Sequence, residues 1–187
     1  MNTFQQDLEE AVAYHGHLCI GQIVGVLTTR LALKTLGVDD PKNFRDLIVY
    51  VECDRCITDA ISTVTGCHLG YRNLKFMDYG KVAASFLNLQ TGEAVRISSK
   101  TRVHPPDDVN PVEFFLGIPE DELFHVARVK IHYRPEDLPG KPRNAMICPT
   151  CGEEVIDGRQ VIRDSIAVCK ACADGAYYEL EDLNDNC

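Results

Sequence analysis

Hydrophobic and polar positions divide the chain into segments of distinct period. Phe4, Leu8 and Val12 recur every four residues with Asp7, Glu9 and Glu10 between them, which predicts a short amphipathic helix. After the turn Tyr14-His15-Gly16-His17, residues 18–36 are rich in helix-compatible apolar side chains, and Gly37 supplies a C-cap, so a second helix is expected with Cys19 in its first turn. Residues 47–52 form a nearly continuous β-branched run, as expected of a strand covered on both faces. A helix is expected at 54–64 and a strand at 74–77. A hairpin joins 82–89 to 93–97 across Gln90-Thr91-Gly92, and a short helix at 111–116 precedes a last strand at 124–133.

Residues 135–142 hold three prolines and a glycine, which continue neither helix nor ladder. The expected organisation is therefore a core domain over 1–135, a linker over 136–143 and a small module over 144–187.

In that module Cys148-x2-Cys151 and Cys169-x2-Cys172, 17 residues apart, match the spacing of a four-thiolate zinc ribbon. Gly152 serves the first knuckle, whereas Ala173 stands where a second glycine is usual. A hairpin turning at Asp157-Gly158 is expected between the knuckles. A segment this short buries too little surface to fold alone, so structural Zn2+ is expected to drive its folding.

The formal net charge of −9 argues against broad phosphate-backbone binding, so nucleic acid is not an expected partner. From residue 144 onward there are three basic and nine acidic residues, so the metal module is the more acidic part. No stretch has the length and hydropathy of a membrane span, and the first residues lack a basic flank and apolar run, which leads to the expectation of a cytoplasmic protein. Nine cysteines in such a protein point to metal or thiol chemistry rather than to disulfides; the terminal Cys187 is read as incidental.

Four further cysteines lie in the first 67 residues. His15, His17 and Cys19 place three ligand-capable side chains in five residues at a loop-to-helix junction, where a helix N-terminus favours a thiolate able to bind metal. Cys53 and Cys56 have the spacing of a redox dithiol, and Cys56 and Asp59 share a helical face. Cys67 follows Gly66 at the end of that helix. His104, His125 and His132 stand apart and are read as structural or surface residues.

His15-Gly16-His17-Leu18-Cys19-x-Gly21, Cys56-x2-Asp59-Ala60-Ile61 and Thr65-Gly66-Cys67-x2-Gly70-x2-Asn73-Leu74 together resemble the FmdE family of molybdenum or tungsten formylmethanofuran dehydrogenase. Asp78-Tyr79-Gly80-Lys81 and Thr91-Gly92-x-Ala94-Val95 continue the resemblance, which covers roughly residues 10 to 135. It implies an α+β fold, a mixed sheet flanked by helices, followed by the C-terminal zinc ribbon. It also implies a shared site of His17, Cys19 and Cys56, with His15, Asp59 and Cys67 nearby. Cys53 stands where the family often has asparagine.

The implied function is that of a metal-binding accessory or regulatory protein of anaerobic, methanogenesis-related one-carbon metabolism. A second transition metal, Zn2+ or Ni2+/Fe2+, is expected in the core domain, and a homodimer and molybdenum or tungsten oxidoreductase subunits are the expected partners. The rival is an enzyme, either a thiol oxidoreductase using Cys53 and Cys56 or a metal-dependent hydrolase with Cys56 and Asp59 as candidate catalytic residues. Without a dinucleotide fingerprint or Walker loop, the chain is not expected to oxidise formylmethanofuran alone.

Overall fold

A computed structural model describes residues 2–100 and 103–180, so Cys187 lies outside the described residues. The chain divides between His132 and Tyr133 into two compact units.

In the first unit, α1 (Phe4–His15) begins with a reciprocal cap. The Thr3 hydroxyl accepts the Gln6 amide at 3.2 Å, while Gln6 Oε1 accepts the Thr3 amide at 2.9 Å. The helix ends at Gly16, whose φ of 94° turns the chain sharply toward α2 (Ile20–Leu36). There follow β1 (Leu47–Val51), α3 (Cys56–Thr65), β2 (Leu74–Phe76), β3 (Ala83–Asn88), β4 (Ala94–Ser99), α4 (Pro111–Leu116), α5 (Glu120–Leu123) and β5 (Phe124–Arg128).

The strands form one sheet in the order β2-β1-β3-β4-β5, parallel between β1 and β2 and antiparallel elsewhere. The unit is thus an α+β domain with a mixed sheet. The central strand β3 is buried at all six positions, as a strand paired on both edges and covered by helices must be. The last strand stops at Arg128, well short of residue 133, because its partner β4 begins at Ala94 and offers no further ladder after the Val129 amide bonds to Ala94 O at 3.0 Å.

Helices α2 and α3 meet with almost no space between their backbones. A Cβ on Gly21 would lie 2.7 Å from Cys56 Cβ, and one on Gly25 would lie 2.6 Å from Ala60 Cβ and 3.0 Å from Ile57 O. These two glycines, one turn apart on α2, set the closeness of the two helix N-termini. Gln22, fully buried beside them, donates Nε2 to the Cys56 carbonyl at 2.7 Å and fixes the start of α3 against α2.

The second unit contains a 3-10 turn (Pro135–Asp137), the short strands β6 (Met146–Ile147), β7 (Glu154–Val155), β8 (Val161–Arg163) and β9 (Ile166–Val168), and α6 (Lys170–Asp174). It has two small hairpins, β6-β7 and β8-β9. The hairpin expected around Asp157-Gly158 is not formed. Val155 pairs back to Met146 across the first knuckle, and Val161–Arg163 instead turns at Asp164 and Ser165, which have φ of 49° and 67°.

Residues 136–143, expected as a linker, begin within a segment fastened to the module. Arg134 donates to the carbonyls of Gly158 at 3.1 Å and Asp157 at 3.3 Å, and Asp137 pairs with both Arg134 (3.0 Å) and Arg159 (2.7 Å). Hydrogen bonds from Arg134 above all hold the Asp137 carboxyl down to about 2. No helix among the described residues is long and apolar enough to cross a membrane.

Candidate metal centres

The first candidate centre grows from the junction of three helices. His15 is the last residue of α1, Cys19 is the N-cap of α2 rather than part of its first turn, and Cys56 opens α3. The Gly16 turn folds His17 back, so that the two imidazoles lie with ring centroids 4.7 Å apart. A nitrogen of His15, a nitrogen of His17 and the sulfur of Cys19 all lie within 4.8 Å of one another.

One turn into α3, Asp59 Oδ2 meets His15 Nδ1 at 2.8 Å. In the neutral ring that contact places the proton on Nδ1 and leaves the lone pair on Nε2. Nε2 is buried and has no hydrogen-bond partner. A carboxylate on one imidazole nitrogen and a buried second nitrogen without a partner is the arrangement that orients metal-binding histidines. The mixed nitrogen and sulfur donor set suits Zn2+ and also nickel or iron.

Cys56 stands beside this trio rather than inside it. Burial, and after it the neighbouring Cys19 sulfur, pushes its pKa up. The Cys19 side chain makes no capping bond to its own helix, which leaves its sulfur available.

Cys67, expected near the site, belongs to the core. It is 1% exposed, its thiol points to the Leu47 carbonyl at 3.8 Å, and burial pushes it up to about 11, so it stays a neutral thiol. Gly66 ends α3 and turns Cys67 inward under β1. The Gly70-x2-Asn73 stretch is likewise structural, since Asn73 Oδ1 accepts the His68 amide at 2.9 Å and ties the loop together. Cys53 is also buried, and burial pushes its thiol up.

The second candidate centre brings Cys148, Cys151, Cys169 and Cys172 together, all four sulfurs within 4.8 Å of one another. Cys151 and Cys169 sulfurs stand 3.9 Å apart. Tetrahedral bonds of about 2.3 Å to zinc require sulfurs about 3.8 Å apart, so the spacing fits.

Backbone amides support the ligands. The Cys169 amide donates to Cys148 Sγ and the Cys172 amide to Cys169 Sγ, both at 3.3 Å. Amide donors from Cys169 and then Cys151 pull the Cys148 thiol down to about 6, whereas the Cys169 sulfur pushes Cys172 up to about 12. Gly152 turns the first knuckle at φ 76°. The second knuckle needs no glycine: Ala173 continues α6 and its amide bonds the Cys169 carbonyl at 3.0 Å.

Two residues outside every candidate ligand set share a cavity with Cys56. Arg55, at the N-cap of α3, and His104 line a cavity of 460 Å³ together with Cys56. They are far apart in the chain and lack any ligand spacing, so only the fold brings them together.

Comparison with known proteins supports the resemblance in the sequence motifs. A protein from Archaeoglobus fulgidus described as a probable S-adenosyl-L-methionine-binding protein is 33% identical over 93 residues, which is 48% of this chain and 25% of that protein. The chain thus spans about a quarter of that relative's length. The crystal structure of a tungsten formylmethanofuran dehydrogenase FmdE-like protein from Syntrophus aciditrophicus shares the fold, with a TM-score of 0.60 and 22% identity over 94% of this chain and 95% of that one. The model of the family described as "FmdE, Molybdenum formylmethanofuran dehydrogenase operon" matches residues 14–114, more than half of the 187, and the chain belongs to the FmdE family.

Proposed function

We propose that this protein is a metal-binding accessory or regulatory protein with two unlike metal sites. Cys148, Cys151, Cys169 and Cys172 would hold a structural zinc that folds the second unit, since four protein thiolates leave no position for chemistry. His15, His17 and Cys19 would hold a second transition metal, with Cys56 as the adjoining thiol and Asp59 orienting His15.

One observation carries the second site: the buried Nε2 of His15 lacks a partner while Nδ1 is held by Asp59. A buried ring nitrogen without a hydrogen bond is costly, and a cation offsets that cost. Three protein ligands leave a coordination position for an outside molecule, the feature that separates sensing and catalytic centres from closed ones. The family description motivates a role beside a molybdenum or tungsten oxidoreductase, and a homodimer is part of this proposal.

The dithiol alternative has less support. Cys53 lies buried at 4% exposure, and burial pushes the thiols of both Cys53 and Cys56 up, away from the reactive thiolate. Reconstitution with Co2+ tests the proposal through its absorption bands. Two classes of site are expected, one of four thiolates and one of mixed ligands, and Cys19→Ala should remove the second class alone. Identical spectra for the wild type and Cys19→Ala would refute it.

A further inference from the structure

Beside Cys56, in the first unit, lies the 460 Å³ cavity, within the range of about 300–1,000 Å³ typical of small-molecule sites. Ile20, Val24, Phe115, Leu123 and Phe124 give it an apolar body. Gly21 and Cys56 form the wall it shares with the metal-binding cluster, so an occupant reaches the Cys56 side chain. Its polar lining includes Arg55, Ser99 and His104, and none of the described lining residues is acidic.

Val82 and Ser99 also line an adjoining hollow of 360 Å³ with Lys81, Arg96 and Lys100. Arg96 is already neutralised by Glu52, through bonds of 2.6 and 2.7 Å. The other cations keep their charge unmatched. Lys81 lies over the Tyr79 ring at 5.6 Å, Lys100 donates to the Asp121 carbonyl, and Arg55, Lys81 and Lys100 form no ion pair among the described residues. In a chain of net charge −9, Arg55 in the apolar cavity and Lys81 and Lys100 in the hollow that shares Val82 and Ser99 with it place three cations outside any ion pair on one side of the first unit.

We propose that this cavity binds a small amphipathic anion, an apolar body carrying a carboxylate, sulfonate or phosphate, with its charge met by Arg55, Lys81 and Lys100. The inference deepens the metal-site reading by naming the ligand class that reaches Cys56, but it stands on the cavity and its charges alone. A cation of the same size meets no counter-charge among the described lining residues. A bare inorganic anion leaves the apolar walls wet.

The probe is anilinonaphthalene sulfonate, an apolar ring system with one anionic group, followed by fluorescence on the full zinc-loaded chain. Saturable binding of one probe per chain is expected. Val82 is exposed at the mouth, so Val82→Trp should block binding without disturbing the fold. Joint replacement of Arg55, Lys81 and Lys100 by alanine should weaken the anionic probe by about tenfold or more, at about threefold per exposed charge, and leave uncharged phenylnaphthylamine nearly unaffected. Cys19→Ser should bind the probe as the wild type does, which separates this inference from the metal reading. Non-saturable binding, equal weakening of both probes by the triple variant, or no effect of Val82→Trp would overturn the proposal. So would a dimer that excludes the probe and that Val82→Trp dissociates, because a second copy would then be the occupant.

Discussion

Asp59→Asn and Asp59→Ala probe the orientation of His15 without removing any ligand. The carboxylate holds Nδ1 at 2.8 Å, but its side chain is 43% exposed, so water screens its charge and partly replaces it. Loss of such an outer partner costs roughly 10–100-fold in metal affinity, and the exposure places this case near the low end, about tenfold or ~1.4 kcal/mol for Asp59→Ala. Asparagine keeps an oxygen that accepts the Nδ1 proton and loses only the charge, so its effect should be smaller. The assay is competition for Zn2+ against a chromophoric chelator with the ribbon already loaded, so that only the weaker site titrates. Unchanged affinity in both variants would show that His15 does not bind metal through Nε2. A loss larger for asparagine than for alanine would refute the hydrogen-bond reasoning.

Gly25→Ala forces a methyl to within 2.6 Å of Ala60 Cβ and against the Ile57 carbonyl, so it should destabilise the first unit by about 1–3 kcal/mol in urea unfolding. Strong chelation should unfold the second unit and leave the near-ultraviolet circular dichroism of the first largely intact, since structural zinc supplies on the order of 10–16 kcal/mol to modules of this kind. At pH 8 Cys67, with its thiol near 11, should resist alkylation in the folded protein and react only on unfolding, as mass spectrometry of the labelled chain would show. Asp137 is depressed from 3.8 to about 2, so the stability it lends the second unit is complete above pH 4 and fades as pH falls toward 2; Asp137→Asn should flatten that part of the acid titration.

Much of the candidate site was legible because its signals are local. His15, His17 and Cys19 lie within five residues, and the Cys148 to Cys172 spacing alone predicts the ribbon ligands. Sequence could not show that His15 rather than Cys56 completes the tight trio. That depends on the φ of 94° at Gly16 and on the approach of α3 to α2 at Gly21, which are tertiary facts. Cys67 misled because the family resemblance placed it near the site, whereas burial under β1 decides its role. In the fold, long apolar runs such as residues 47–51 and 83–88 read well as strands. The ribbon hairpins did not, because two-residue and three-residue strands carry almost no periodicity, and the Asp157-Gly158 signal belongs to a turn between hairpins. Arg134 and Asp137, in a stretch whose prolines suggested only a break, fasten that stretch to the module through side chains that no local pattern reveals.

In the proposed reading, imidazole nitrogens and a thiol at a three-helix junction hold a metal separate from the ribbon zinc. Counting metal per chain, by elemental analysis of protein purified without chelator, tests it most directly. The wild type should carry two equivalents and the His15→Ala/Cys19→Ala variant one, with the four-sulfur signature at the absorption edge surviving in the variant. One equivalent in both proteins, bound by four sulfurs alone, would contradict the account.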